Sequence, residues 1–284
     1  MEWEKAKSIL LVLFILINVV LFGLTLAENR RYTLTAEREA LVRSVLARHD
    51  ITVETDITRR FAPMRSLRIS GYYYNHDELV GIFFDDPTRV LHTQTAFSDE
   101  FTKDEAELFI AGGFITYINA ARMYSGENNI TREQARVIGD AFISEHFPDF
   151  IYDEYFRPHS DAGQLLVYHQ FYRGHRVYSN FIELLVTPKG ITEADMQFGR
   201  IHGWDGPERV IFAPDEVLLT FLQRVDTLRM PVTITNMDIV YFLEFIYASD
   251  ERDSLHRAIP FYRIFIEGFE MPFLINAYTN VSID

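Results

Sequence analysis

The sequence Ile9-Leu-Leu-Val-Leu-Phe-Ile-Leu-Ile-Asn-Val-Val-Leu-Phe-Gly-Leu-Thr-Leu26 contains no charged residue. As an α-helix, at about 1.5 Å of rise per residue, it reaches about 27 Å, close to the thickness of a bilayer's hydrocarbon core. A core helix of a water-soluble protein has a polar face, and this stretch has none. We predict a membrane-spanning helix over residues 9–27, preceded by a short cytoplasmic tail of residues 1–8.

A cleaved secretory signal peptide is the alternative interpretation of this stretch. Thr25-Leu26-Ala27 loosely resembles a cleavage site built from small residues. An uncleaved anchor fits better, because the apolar run is longer than the apolar core of a signal peptide, which has roughly 7–15 residues. The N-terminal tail also carries Glu2 and Glu4 beside its two lysines, which is not typical of a signal peptide. A lipid-modified lipoprotein is excluded, since the chain has no cysteine.

The orientation of the helix is predicted from the size of the segment on its C-terminal side. The flanking positive charges nearly balance, because Lys5 and Lys7 precede the helix and Arg30 and Arg31 come after it. Large domains translocate largely regardless of their charge. We therefore predict a single-pass protein of the cell membrane, with a cytoplasmic N-terminus and with residues from about 28 onward outside the cell.

The part of the chain after the helix is acidic. The 284 residues carry a net charge of −14, and the tail and helix contribute equal numbers of acidic and basic residues. This acidity argues against nucleic acid as a partner and against adsorption to anionic lipid. The remainder is long enough for two domains, and its many Phe and Tyr residues supply material for a core.

Four stretches carry N-terminal signals of a helix. They are Thr33 or Thr35 before a helix to about Arg48, Thr102-Lys-Asp-Glu105, Thr131-Arg-Glu-Gln134 and Pro214. The helix after Thr102 is expected to end at Gly112-Gly113.

Apolar runs between these helices predict strands. They cover residues 65–74, 79–84, 90–97, 114–120, 164–172, 175–187, 191–204, 232–247, 260–267 and 271–279. Helices beside meandering strands, rather than alternating βαβ units, predict an α+β fold with helices packed on antiparallel sheets. Residues 125–129 show no periodicity and mark the predicted boundary between a first α+β domain, 28–127, and a second, 128–284. Each half ends on a strand closing with Ile-Asn-Ala, which suggests an internal repeat.

The two ends of the chain resemble one family. Met1-Glu-Trp-Glu-Lys-Ala-Lys-Ser-Ile9 running directly into a membrane helix resembles the start of YycI proteins, and Ala258-Ile-Pro-Phe-Tyr-Arg-Ile264 is similar to their closing strands. The sequence departs from that pattern at Tyr262, where a Trp is expected, and near Asn280, where a Gly is expected. YycI proteins are membrane-anchored regulators of the YycG (WalK) sensor histidine kinase of Gram-positive bacteria. The resemblance implies a non-enzymatic extracytoplasmic body that works with the kinase and with a sister protein, YycH.

Motifs for catalysis or cofactor binding are not found. The sequence has no Gly-x-Ser-x-Gly elbow, no phosphate-binding loop, no His-Glu-x-x-His and no cysteine ligand. If Arg173-Gly174 is a two-residue hairpin turn, His169 faces Tyr178 and His175 faces Tyr172 on opposite faces of the sheet, so one metal ion cannot bind both histidines. We expect no catalytic residue, no cofactor and no metal.

Several other polar or aromatic features have structural interpretations. His159-Ser-Asp161 and Asp85-Asp86 are interpreted as turns, and the aromatic stretches 72–74 and 168–178 as core rather than a ligand groove. Glu244 lies within an apolar run and is expected to face solvent or to pair with an arginine, for which Arg263 is a candidate.

Asn18 is the one strongly polar side chain near the middle of the membrane helix. An amide in lipid leaves its donors and acceptor unpaired, so it favours contact with another helix. Toleration of the amide by helix tilt and a bound water is the alternative. The predicted partner face contains the residues at helical spacing around it: Leu11, Phe14, Ile15, Asn18, Leu21 and Phe22.

Together these features predict a single-pass membrane regulator that acts by binding rather than by chemistry. Its predicted partners are a YycG/WalK-like sensor histidine kinase and a YycH-like protein, with a homodimer as a further option. The alternative is a PepSY/cystatin-like binding domain, anchored or secreted, that inhibits a protease or binds a peptide by strand addition. A membrane-tethered hydrolase is a third class.

Overall fold

The computed structural model describes residues 2–71, 75–123, 130–156, 160, 162–225, 230–243 and 255–283. The helices are α1 (Glu2–Arg31), α2 (Ala36–Ala47), α3 (His76–Phe83), α4 (Arg132–His146) and α5 (Pro214–Val225). The strands are β1 (Ile51–Val53), β2 (Met64–Ser70), β3 (Leu91–Gln94), β4 (Ser98–Lys103), β5 (Ala106–Ala111), β6 (Phe114–Asn119), β7 (Phe150–Tyr152), β8 (Gln164–Tyr172), β9 (His175–Thr187), β10 (Gly190–Gln197), β11 (Ile201–Arg209), β12 (Val232–Leu243), β13 (Leu255–Ile266), β14 (Phe273–Asn276) and β15 (Ser282–Ile283).

The described strands join in one mainly antiparallel sheet. Its path is β11-β2-β13-β12-β9-β10-β6-β5-β4-β3, and β1, β7, β8, β14 and β15 pair beside this path. β1 and β12 are parallel, as are β12 and β9, which meet through the pairs Val240–Arg176 and Tyr241–Val177. Helices packed on such a sheet confirm the predicted α+β class.

Among the described residues, two large hydrophobic cores and two small clusters lie on this sheet. The first packs α2 and α5 against β12, β13 and β14, with Leu46, Phe221 and Ile264 fully buried, and its buried members come from residues 34–61 and 178–278. The second packs α3 and α4 against the central strands, and its buried members come from residues 79–196. The predicted boundary at residues 127 and 128 lies outside the described residues, and the division into two domains stays a prediction.

Three of the four predicted helices begin where their N-terminal signals place them. Thr35 accepts a hydrogen bond from the backbone N of Arg38 at the start of α2. Thr131 and Gln134 form the complete capping box of α4, and α5 begins at Pro214. These three predictions are confirmed, because the helix starts lie where the signals place them and the two threonine caps pair backbone N–H groups that a helix itself leaves unsatisfied.

The strand predicted over residues 79–84 is wrong, since most of it belongs to α3. Asn75 caps this helix by accepting a hydrogen bond from the backbone N of Asp77, at 3.1 Å. Leu79 and Val80 are buried and Phe83 packs against the same core, which is a helical spacing rather than an alternating one.

The helix predicted after Thr102 is also wrong, because this segment is the β4–β5 hairpin. Asp104 turns the chain with a φ of 52°, and Gly112 and Gly113 have positive φ values in the next turn. Phe101 and Leu108 face each other across the hairpin and are both buried in the second core. Their burial outweighs a local capping signal whose contribution is about 1 kcal/mol.

Candidate functional site

The apolar segment of α1 is not packed against the body. This segment, Lys5–Gly23, is long and apolar enough to cross a membrane, and none of it is buried against the rest of the chain. Every residue of the predicted partner face is exposed to the surroundings. The role of this face in binding stays a prediction.

Asn18 makes one hydrogen bond within its own helix. Its Nδ2 atom donates to the carbonyl oxygen of Phe14 at 2.8 Å. An asparagine amide has two hydrogens and an acceptor oxygen, so this bond satisfies one of its hydrogen-bonding groups. Its other N–H group and its oxygen remain to be paired, by a second helix or by a bound water.

α1 enters the body without a linker. The helix ends at Arg31, and the backbone N of Phe61 donates to the carbonyl oxygen of Tyr32 at 3.0 Å. The backbone N of Leu34 donates to the carbonyl oxygen of Arg59 at 2.7 Å, and Leu34 is buried in the first core. The folded body thus begins within three residues of the end of the helix.

A buried cluster of charges joins β8, β9, β12 and β13. Arg263 is fully buried and donates from Nε and Nη2 to the two carboxylate oxygens of Asp238, at 2.9 and 2.6 Å. Its Nη1 atom donates to Oδ2 of Asp153, and Nη1 of Arg176 lies 2.5 Å from the same oxygen. His169 Nε2 lies 3.4 Å from that oxygen. Two guanidinium groups therefore balance two carboxylates inside the protein.

The pKa values in this cluster result from burial and neighbouring charge. Burial alone would raise the pKa of the Asp153 carboxyl, but Arg263 and Arg176 outweigh burial and hold that pKa at about 2. Burial lowers the pKa of His169 to about 3, and Arg263 adds to this effect. Near pH 7 Asp153 is therefore ionised and His169 is neutral.

The cluster attaches the segment after β7 to the sheet. The backbone N of Asp153 donates to the carbonyl oxygen of Val167 at 2.8 Å, and the backbone N of Tyr155 donates to Oδ1 of Asp153 at 3.2 Å. The guanidinium carbon of Arg263 lies 5.1 Å from the ring centre of Tyr178 and 4.7 Å from that of Phe265. Because its charges contact one another and aromatic rings, we interpret the cluster as a structural element.

A groove of about 540 Å³ opens beside this cluster, between α4 and β7. Arg176 belongs to the cluster and also lines the groove. On the other wall the Tyr168 hydroxyl donates to Oδ1 of Asp140 at 2.9 Å, and Nη2 of Arg136 donates to Oδ2 of Asp140 at 3.1 Å. The Arg136 guanidinium also lies 4.2 Å from the ring centre of Tyr152. The groove therefore combines aromatic walls with charged groups that are already paired.

The predicted two-residue turn of the β8–β9 hairpin is present, but the pairing of the two strands shifts further from the turn. Tyr172 pairs with His175, which confirms the turn at residues 173 and 174. A bulge after His169 places it opposite Phe181 rather than Tyr178, so that part of the predicted register is wrong. The rings of His169 and Tyr178 are nevertheless 4.8 Å apart.

Within the described ranges, no three His, Asp or Glu side chains come together as metal ligands. His159, Asp161, Glu244 and the tyrosines 72–74 lie outside those ranges. The expected lack of metal and cofactor stays a prediction.

Most of the charged cluster could not be predicted from the sequence. Glu244 is the sequence-based candidate partner of Arg263, whereas the partners of Arg263 among the described residues are Asp153 and Asp238. One signal in the sequence does point to this cluster. Arg263 is the single charged residue in the apolar stretch 258–266, and a charged residue in such a strand is usually paired when it is buried. Asp153 lies 110 positions away in the chain, and no local pattern connects the two residues.

Comparison with known proteins identifies a shared fold. No protein-family profile matches the chain, and no curated protein sequence matches it significantly. The crystal structure of an uncharacterized protein from Eubacterium rectale superposes with a TM-score of 0.53 at 11% identity, over 82% of this chain and 89% of that one. This likeness shows that the two chains share a fold.

Two further solved structures superpose less well. They are the C-terminal domain of Bacillus megaterium YpeB, with a TM-score of 0.45 and 11% identity over 75% of this chain and 97% of that one, and Bacillus subtilis YycH, with a TM-score of 0.47 and 10% identity over 76% of this chain and 54% of that one. The chain thus spans about half the length of that YycH chain.

Proposed function

We propose that this protein is a membrane-anchored, non-enzymatic regulator of a sensor histidine kinase of the YycG/WalK type, acting with a YycH-like protein. The observation that carries the proposal is the exposed apolar helix Lys5–Gly23, joined without a linker to a folded body. Such an anchor holds the body beside other membrane proteins and exposes a helix face to them.

The resemblance of the chain ends to YycI proteins supports the choice of partner. Asn280 lies near the position at which that family's pattern has a glycine, and it has a φ of 56°. This left-handed conformation is one that glycine adopts at no steric cost and asparagine tolerates. The departure from the family pattern at this position is therefore compatible with the same backbone shape.

Binding rather than catalysis agrees with the state of the charged groups. In the cluster around Arg263, Asp153 and Asp238 each pair with an arginine. A catalytic carboxylate would instead lie within hydrogen-bond reach of a substrate.

The topology gives a first prediction. A reporter that is active only in the cytoplasm, fused after Asp284, should be silent because the body is translocated. The same reporter fused before Met1 should be active in the same cells. Activity of the C-terminal fusion would contradict the proposed orientation.

Asn18 gives a second prediction. Asn18→Leu should preserve insertion but weaken association with partner membrane helices, because an interhelical hydrogen bond contributes about 0.6–2 kcal/mol. A two-hybrid assay in membranes would measure this association, with Val12→Leu, a change off the predicted face, as the control. Equal association of both variants and the wild type would place recognition in the body instead of the helix.

The proposed function is tested by kinase output. Full-length protein and a version that starts at residue 28 would each be added to the kinase in reconstituted membranes, and autophosphorylation would be measured. We expect the full-length protein to change autophosphorylation and the shortened version to lose most of that effect. No change with full-length protein would contradict the proposal.

A second candidate, a PepSY/cystatin-like binding domain, is favoured by the groove of about 540 Å³ between α4 and β7. Its aromatic walls and its arginines suit a peptide. Inhibition of a protease, or binding of a peptide, by the version that starts at residue 28 would support this candidate.

A further inference from the structure

Two short segments with the same pattern lie side by side where the helix enters the body. Each consists of two arginines and an aromatic residue: Arg30-Arg31-Tyr32 at the end of α1, and Arg59-Arg60-Phe61 before β2. They run antiparallel through the bridge between Thr33 and Arg60 and through the hydrogen bond from Phe61 N to Tyr32 O. The rings of Tyr32 and Phe61 meet edge to face, with their centres 6.2 Å apart.

This pairing gathers four arginines on an otherwise acidic chain. We call Arg30, Arg31, Arg59 and Arg60 the arginine collar; all four are exposed. Arg59 contacts Glu39, a carboxylate that Arg43 also contacts. Among the residues whose side chains the structure describes, a set that leaves out residues 24–29, Arg30, Arg31 and Arg60 have no ion-pair partner. The Arg31 guanidinium lies 5.7 Å from the Tyr32 ring centre. The collar therefore has positive charge that the body does not neutralise.

The length of the helix places the collar at the depth of lipid headgroups. The uncharged run from Ser8 to Ala27 spans about 30 Å, which is the thickness of the hydrocarbon core. Arg30 and Arg31 come three and four residues later, about 5–6 Å further along the axis. The headgroup region is about 5–7 Å thick on each side of the core. Through its bridge to Thr33, Arg60 joins them at this level.

The side chains of the collar suit phosphate groups. A guanidinium donates parallel hydrogen bonds to phosphate oxygens, and it stays charged at every relevant pH. A tyrosine such as Tyr32 is favoured at the membrane–water interface, because its ring is apolar and its hydroxyl is polar. The net charge of the chain opposes adsorption to anionic lipid, but salt largely screens negative charges that lie more than about a Debye length, roughly 10 Å, from the contact.

We propose that the arginine collar binds the phosphate headgroups of anionic phospholipids and seats the body on the membrane surface. The proposal rests on α1 crossing the membrane, and it holds for either orientation of the helix. Each arginine near an anionic surface contributes about 1 kcal/mol, which corresponds to about fivefold in affinity.

Native mass spectrometry of full-length protein released from nanodiscs tests this proposal. The nanodiscs contain phosphatidylcholine and phosphatidylglycerol, and the measured quantity is the ratio of the two lipids that remain bound. Wild-type protein should retain phosphatidylglycerol preferentially. Arg59→Gln together with Arg60→Gln should reduce this preference about fivefold or more.

Two further variants separate lipid binding from other effects. Arg59→Lys with Arg60→Lys keeps the charge and should keep most of the preference. Arg68→Gln with Arg200→Gln removes the same charge at exposed positions outside the collar and should leave the preference unchanged. The collar is ruled out if the first glutamine pair retains the wild-type preference, or if the Arg68 and Arg200 pair loses it equally. If no version of the protein inserted into nanodiscs, the result would instead contradict the proposal that α1 crosses the membrane.

Discussion

Replacing Asp153 by alanine is expected to lower the free energy of unfolding by about 3–5 kcal/mol, the effect of removing one partner from a buried ion pair. Asp153 is 0% exposed, and its Oδ2 atom contacts both Arg263 and Arg176. Without this carboxylate, Arg263 remains buried with one counter-charge, Asp238, and the backbone N of Tyr155 loses its acceptor. Arg263 and Arg176 would then share a single carboxylate, and an excess charge that is largely removed from water is costly, which is why the expected loss is large.

Denaturant unfolding of the full-length protein in detergent, followed by circular dichroism, measures this effect. The matched control is Asp205→Ala, which removes a carboxylate whose partner, Arg257, is 54% exposed. Such surface pairs contribute about 0–1 kcal/mol, so the control should unfold almost as the wild type does. A loss for Asp153→Ala no larger than for Asp205→Ala would contradict a structural role of the cluster.

Acidification is expected to destabilise the protein through His169. Its pKa is about 3 in the folded state, against an ordinary value of 6.5. Between these values the unfolded chain binds a proton that the folded protein excludes, so the free energy of unfolding falls as the pH falls. The slope is about 1.4 kcal/mol per pH unit, which amounts to about 2–3 kcal/mol between pH 6.5 and about pH 4.5.

Asp153 affects the free energy of unfolding over a separate, more acidic pH range. Its pKa is lowered from 3.8 to about 2 in the folded state, so its contribution is complete above pH 3.8 and is lost as the pH falls towards 2. Above about pH 4 the effect of His169 can thus be measured without that of Asp153.

His169→Gln tests the pH prediction, because glutamine does not titrate. Its free energy of unfolding should depend less steeply on pH than that of the wild type between pH 6.5 and about pH 4.5. His202→Gln, at an exposed position, is the control and should keep the wild-type slope. Burial also lowers the pKa of His175, but this residue is present in all three proteins and cancels in the comparison. Equal slopes for His169→Gln and wild type would exclude His169 as the source of the acid sensitivity.

Several elements with strong local signals were predicted from the sequence. A capping box such as Thr131 to Gln134 and a first-turn proline such as Pro214 act on backbone groups only a few residues away. The β4–β5 hairpin was not predicted, because the burial of Phe101 and Leu108 stabilises it in a core that other parts of the chain complete. Where tertiary burial and local propensity disagree, the larger free energy of burial decides the structure.

The candidate site was less predictable than the fold. The anchor was predicted because a bilayer imposes a length and an apolar composition on any helix that crosses it. The cluster around Arg263 depends on residues 153, 176 and 238, which meet only after β8, β9, β12 and β13 have assembled. The arginine collar likewise joins residues almost thirty positions apart, and the bridge between Thr33 and Arg60 is visible only in the folded chain.

The strand order also dictates when each part of the body can fold during synthesis. All buried members of the second core lie between residues 79 and 196, so this core can close while the rest of the chain is still being made. β2, in contrast, pairs with β11 and β13, and β1 pairs with β12. At about 5–20 residues per second, synthesis of β13, the last strand to pair with β2, is complete roughly 10–40 s after that of β2. The body therefore closes from its middle outwards, and the segment beside the membrane, which is made first, is completed among the last.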